Sequence, residues 1–349
     1  MPDLIFIGGL TLALGIVYAW AFKHLPRERW QILCAFPLRK KADGRWEGLN
    51  LTYYGLINAG AVAFGLSMTF ILLGSVGLTL GRIALFVGAI LIVCVPSAKW
   101  MAHLVEKKKH TLSIGGAAFC GLMVVPPALL LLSPLTARLD GAPLPVMPML
   151  AAMIVGYAFG EGSGRLACLS FGCCYGRPIA ALPSLLRRLA APFSVVFQGP
   201  TKKAAYAAGL GGQPLVAVQA ITAVVYTAAG LAGVALFLQG RFRGAYLLCI
   251  LTTQLWRGLS EFLRADFRGG QKISAYQYFA GIAALAGLIY GLALPSSPLP
   301  TDLLRGLGLL WHPAFILGSG AVGLIIFLFT GRSQITGSYL SFFVHSDRT

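Results

Sequence analysis

Residues 145–171 read PVMPMLAAMIVGYAFGEGSGRLACLSF. The run is apolar over most of its length and meets the roughly 20 residues that a hydrocarbon core requires. Toward its end it carries Glu161 and Arg165, four residues apart, among Gly160, Gly162 and Gly164. That spacing puts both charges on one helix face, in the favourable order with Glu first. A charge inside a span costs at least ~2.5–3.5 kcal/mol near the helix centre, so each needs a partner or a wet cavity. The glycines let another backbone or a ligand approach closely.

The same arrangement recurs at 256–264, WRGLSEFLR, where Arg257 and Glu261 are four apart and Arg264 follows about one turn on. One reading is structural: the pairs hold helices together. The other is a polar cavity in which two guanidinium groups face one lipid phosphate or ester. A planar guanidinium fork suits that task because it grips an oxyanion with two parallel hydrogen bonds. Two such pairs, in separate spans and near the basic segments, favour the cavity.

The rest of the chain agrees with a membrane setting. Of 349 residues, 57% are apolar and only 11% are charged, and the mean hydropathy is +0.77. A soluble domain carries roughly 25% charged residues, so soluble, disordered and collagen-like classes are excluded. The apolar runs do not alternate, which excludes a β-barrel. Candidate spans cover 4–22, 53–73, 83–98, 111–132, 145–171, 213–238, 243–263, 273–294 and 312–331. Helix is the form expected for each, because lipid leaves backbone polar groups without partners. The expected fold is therefore all-α: a polytopic transmembrane helix bundle of about nine spans. The run at 4–22 lacks a basic leader and a small-residue cleavage site, and reads as a retained helix. Pro126 and Pro127 should kink the fourth span. Segment 172–212, with Pro178, Pro183, Pro192 and Pro200, is long for a bundle loop and reads as a small headpiece.

Lys and Arg total 28 against 11 Asp and Glu, a net charge of +17. With nine spans, 21 of these cations fall on one face and five on the other. The positive-inside rule places the richer face in the cytoplasm. A basic rim for anionic lipid headgroups is the functional reading of the same excess; nucleic acid is not an expected partner. There is no internal repeat of the kind that marks many transporters.

Seven cysteines, an odd number, lie mostly in apolar runs and read as buried thiols rather than a disulfide framework. Cys168, Cys173 and Cys174 form a cluster in sequence. A zinc site needs four ligands, and no His lies close to these three. No metal and no cofactor are expected, and small apolar packing is the expected role.

The stretch GRLACLSFGCCYGRP at 164–178 resembles the signature of bacterial prolipoprotein diacylglyceryl transferases. Tyr54-Gly55 resembles the pair opening that family's first helix, and LSIGG at 112–116 its glycine pair. WRGLSEFLR resembles its late Arg…Glu-Phe…Arg helix, and Ser274 to Gln277 the start of its last helix. The likeness covers roughly 51–295 as a seven-span core containing the 172–212 headpiece. It leaves 1–50 as an added helix with a basic loop, and 296–349 as an added helix and tail.

The resemblance implies a multi-pass protein of the bacterial cytoplasmic (inner) membrane. Such a protein moves diacylglycerol from phosphatidylglycerol to the lipobox cysteine of prolipoproteins, whose signal peptides are its partners. Carried over by position, Arg165 and Arg257 are the catalytic arginines. Glu161, Glu261, Arg264 and Gln219 support them. Tyr54, Gly115, Gly116, Gly164, Gly176 and Arg177 contribute to substrate binding. The chain departs from the family where Cys168 replaces an Asn, Cys173 an acid, Ile114 a His, and Ile221-Thr222 a Tyr-Glu pair. A lipid-binding membrane protein of the same fold, non-catalytic or with another acceptor, is the alternative. The family's topology puts the basic face outside the cytoplasm, against the charge count.

Overall fold

The computed structural model describes residues 1–106, 114–140, 143–266, 273–296, 298–342 and 347. Leu112, Ser113 and the stretch 267–272 lie outside the described residues, as does the side chain of Ile114. The first half of the chain contains α1 (Pro2–His24), β1 (Ile32–Lys40), β2 (Trp46–Thr52), α2 (Tyr53–Ser75), α3 (Leu80–Glu106), α4 (Ile114–Asp140) and α5 (Val146–Phe171). The headpiece follows with α6 (Ser184–Ala190), β3 (Ser194–Val196), α7 (Lys203–Ala208) and β4 (Pro214–Val216). The remainder is α8 (Val218–Leu238), α9 (Phe242–Ser260), α10 (Ala275–Ala293), α11 (Leu303–Gly308), α12 (Pro313–Thr330) and β5 (Arg332–Leu340).

The chain is mostly helical, and eight of its described helices are long and apolar enough to cross a membrane. Helix α9 matches another of the apolar runs but is more polar, carrying Arg243, Gln254 and Arg257. The run at 83–98 extends to a full 27-residue helix. Helix α4 continues through Pro126 and Pro127. The run at 213–238 becomes helical only at Val218, because Pro214–Val216 pairs with β3 instead.

Helix α5 is the axis of the bundle. It packs against α2, α8 and α9 and buries most of its length, including Leu150, Ile154, Val155 and Phe159. Its approach to α2 is backbone to backbone: a Cβ on Gly65 would lie 2.8 Å from the Gly156 carbonyl oxygen, and one on Gly156 equally close to that of Gly65. Small residues are what allow helices to pack this closely in lipid, where no hydrophobic force draws them together. Helices α1 and α12 bury little of themselves. The first is tied in by Tyr18 Oη against Thr227 Oγ1 at 2.6 Å; the second packs on α2.

Five short strands accompany the bundle among the described residues, and the apolar-run reading does not contain them. Strands β1, β2 and β5 form one antiparallel sheet in that order. The basic segment after α1 is thus a hairpin rather than a loop, and the tail after α12 is its third strand.

Several basic segments meet at one end of the bundle. Gln198 N donates to Pro26 O at 3.1 Å, Thr52 N to Gly331 O at 2.9 Å, and Arg177 N to Leu263 O at 2.8 Å. The headpiece is pinned there by Lys202, which is fully buried. Its Nζ donates to Leu25 O at 3.0 Å and to Ser170 O, capping the ends of α1 and α5. Burial pushes this amine down to about 7.

Candidate functional site

Helix α5 places Tyr157, Glu161 and Arg165 one turn apart on the face turned toward α9. Glu161 pairs with Arg165 as the i,i+4 spacing requires. It also receives Arg257 from α9, with Nη1 3.6 Å from Oε1. Arg257 donates to Tyr157 Oη at 3.2 Å. Two guanidinium groups 92 residues apart in sequence therefore share one carboxylate, and this cluster carries one excess positive charge. All three side chains are almost completely enclosed. Enclosure raises the cost of any unmatched charge and strengthens every electrostatic contact made there.

Gly115, in the first turn of α4, makes room for Arg257. A Cβ at that position would collide with Nη2 of the guanidinium and lie 3.0 Å from the Tyr276 ring. One of the family-like glycines thus touches an arginine identified in a different span. Gly116 follows it, buried in the same turn.

A second cluster sits where α9 ends. Arg264 lies 3.5 Å from Glu261 and donates from Nε and Nη2 to both oxygens of Asp266, at 2.8 Å each. Ser274, which caps α10 in a reciprocal capping box with Gln277, donates to Glu261 Oε2 at 3.3 Å. Among the described residues, one guanidinium here faces two carboxylates. Asp266 was not singled out in the sequence because it stands two residues after Arg264, off any helical spacing.

Between the clusters runs a narrow polar cleft. Arg165, Arg257, Arg264, Glu261, Gln219 and Thr222 line it. Gln219 donates from Nε2 to Cys173 O at 2.7 Å, while its buried Oε1 has no partner among the described residues. The buried Nε of Arg165 is likewise without one. Thr222 accepts from Trp256 Nε1 at 2.9 Å. Tyr226 and Cys174 complete part of the wall.

The remaining sequence candidates lie around the cleft rather than in it. Gly164 faces Ala61 and Asn58 of α2 at ordinary contact distance. Gly176 forms a backbone bridge with Arg264, and a Cβ there would come within 2.8 Å of the Val216 Cβ. Tyr54 packs its ring on Phe171, 5.4 Å between centroids. Arg177 is exposed and contributes its backbone, holding Leu263 and Val216.

The arrangement offers an anion two converging guanidinium groups with one charge to spare and an Arg165 N–H without a partner among the described residues, in a largely enclosed wall; the amide oxygen of Gln219 could accept from a ligand hydroxyl. None of the described residues named as its lining is a histidine. No family model matches the chain, and no curated protein matches it either.

Proposed function

We propose that the cleft binds the phosphate of a membrane phospholipid, and that the protein transfers diacylglycerol from phosphatidylglycerol to an acceptor thiol. The observation that carries this reading is the meeting of Arg165 and Arg257 on the single carboxylate of Glu161. An anion entering beside them completes a charge balance that the protein leaves open. The resemblance to prolipoprotein diacylglyceryl transferases supplies the reaction: Arg165 and Arg257 are the arginines at the matching positions.

In that reaction the acceptor sulfur attacks the glycerol carbon that bears the phosphate ester. The S–C bond forms as the C–O bond breaks, and glycerol phosphate leaves with the electron pair. The thiol proton passes to solvent or to the acceptor's own surroundings. Negative charge grows on the departing phosphate, where two fixed guanidinium groups in a water-poor wall stabilise it most. Glu161 holds both in place. The lipobox cysteine of a prolipoprotein is the acceptor we assign, and the bacterial inner membrane, crossed nine times, is the location.

The test is transfer of labelled diacylglycerol from phosphatidylglycerol to a lipobox peptide by the purified full chain. Arg165→Ala and Arg257→Ala should each abolish transfer. Wild-type rates in both variants would overturn the mechanism.

A second reading is favoured by the wall itself: no described lining residue is a histidine, and Glu261 is already held by Ser274 and Arg264. On that reading the protein binds the headgroup without transferring the lipid. Retention of phosphatidylglycerol by the wild-type chain with no thioether product would select it. A reporter fusion within 172–212 fixes which side the basic face occupies; a cytoplasmic result removes prolipoprotein as the acceptor.

A further inference from the structure

We propose that Cys168, Cys173 and Cys174 form a three-thiolate site for a soft monovalent cation, Cu(I). The three Sγ atoms lie within 4.8 Å of one another, and those of Cys168 and Cys174 are 3.9 Å apart. A planar three-coordinate ion with metal–sulfur bonds of about 2.3 Å places its sulfurs about 4.0 Å apart. The triangle is thus close to the size that such an ion requires.

Local geometry builds it. Helix α5 ends with Gly172 in the left-handed region, where glycine is the usual residue. Cys168 O accepts from the N–H groups of both Gly172 and Cys173. The chain then turns back through Cys174, which at φ 55° is the one described non-glycine residue with positive φ. Such a conformation persists only where its surroundings hold it, and it is concentrated at functional positions. Gln219 fixes the next link by its hydrogen bond to Cys173 O. The two turns return the thiols of 173 and 174 to that of 168.

The donor set selects the ion. Thiolates favour soft metals, Cu(I) among them. Zinc is disfavoured because structural sites take four ligands, and no fourth Cys, His, Asp or Glu joins the group among the described residues. Binding displaces three thiol protons and leaves the complex with two negative charges. Arg165, within electrostatic reach of Cys168 and Cys174, offsets part of that charge. Cys174 also lines the cleft, which gives the ion a way in. Packing alone, the role expected from sequence, requires neither the left-handed cysteine nor converging sulfurs.

The test uses the reduced full chain purified in detergent, with Cu(I) alone as probe against a chromogenic Cu(I) chelator. One Cu(I) per chain should be retained, with X-ray absorption giving three sulfurs at about 2.3 Å. Single alanine substitutions of Cys168, Cys173 or Cys174 should weaken retention at least tenfold. A variant with Cys34, Cys94, Cys120 and Cys249 all changed to Ala keeps only the three thiols and should bind as the wild type does. That measurement stands even where a cluster variant folds poorly. Equal retention by a variant lacking all three, fewer than three sulfurs, or no competition with the chelator overturns the proposal. None of these readings involves lipid, so the outcome is independent of the transfer assay.

Discussion

The two arginine clusters beside the cleft are built from the same residue types in opposite proportion: two guanidinium groups to one carboxylate in the first and, among the described residues, one guanidinium to two carboxylates in the second. At the α5–α9 contact, Arg165 and Arg257 share Glu161. At the end of α9, Arg264 faces both Glu261 and Asp266, with its fork filled by the latter. The difference lies in how many carboxylates reach each guanidinium. On the proposed function the first cluster is the anion site, and the second is a structural clasp. Lys202 is a third case, a buried amine whose hydrogen-bond partners among the described residues are carbonyl oxygens.

The largest effect is expected from Glu161→Gln. It leaves two enclosed guanidinium groups facing each other without a counter-charge. Breaking a buried pair of this kind costs about 3–5 kcal/mol, read as a lowered thermal midpoint in detergent. Phosphatidylglycerol added to the variant should recover part of the loss, because the lipid phosphate supplies the missing charge. No recovery would mean that the cluster is a clasp like its neighbour.

Arg264→Lys sharpens the contrast from the other side. It keeps the charge and loses the bidentate grip on Asp266, at about 1.5–3 kcal/mol. Stability should fall while transfer by the folded fraction stays near wild type. Transfer lost in a chain that remains folded would move Arg264 into the anion site.

Gly115→Ala acts through volume. The new Cβ displaces the Arg257 guanidinium, and overpacking of this sort costs about 1–3 kcal/mol. Headgroup binding, measured on phosphatidylglycerol vesicles, should fall by more than the change in stability accounts for. The equivalent change at Gly164, which has ordinary contacts, should leave binding unchanged.

The effect expected at Lys202 appears as a pH dependence of stability. Its amine titrates at about 7 in the folded chain and at about 10.4 once unfolded. Between those values the unfolded chain binds one more proton, so stability rises with pH by at most about 1.4 kcal/mol per unit. Below pH 7 the penalty is complete and no longer changes. Lys202→Met should remove this slope between pH 7 and 8.5. An unchanged slope would assign it to other groups.

Much of the cleft was legible in the sequence, and the reasons are local. Glu161 and Arg165 pair because a helix brings residues four apart together. Arg257 and Glu261 stood out because charges are rare in apolar runs. Yet Arg257 and Glu261, four apart like the first pair, bond elsewhere: the arginine to Glu161 and Tyr157, the acid to Arg264 and Ser274. Spacing showed which charges were buried and could not show which partner each would take. Tyr157 and Asp266 carried no signal at all, since a tyrosine in an apolar helix and an acid after a helix end are both ordinary.

The sequence by itself determined that this chain folds as membrane-type helices. Runs of about 20 apolar residues in lipid must satisfy their backbone internally, and that constraint acts within each segment. Only the tertiary structure decided that β5 would complete a sheet begun some 300 residues earlier, that two distant guanidinium groups would share one carboxylate, and that three thiols would converge. Those outcomes depend on which helix faces meet. Periodicity within a segment carries no record of the face on another segment that it will find.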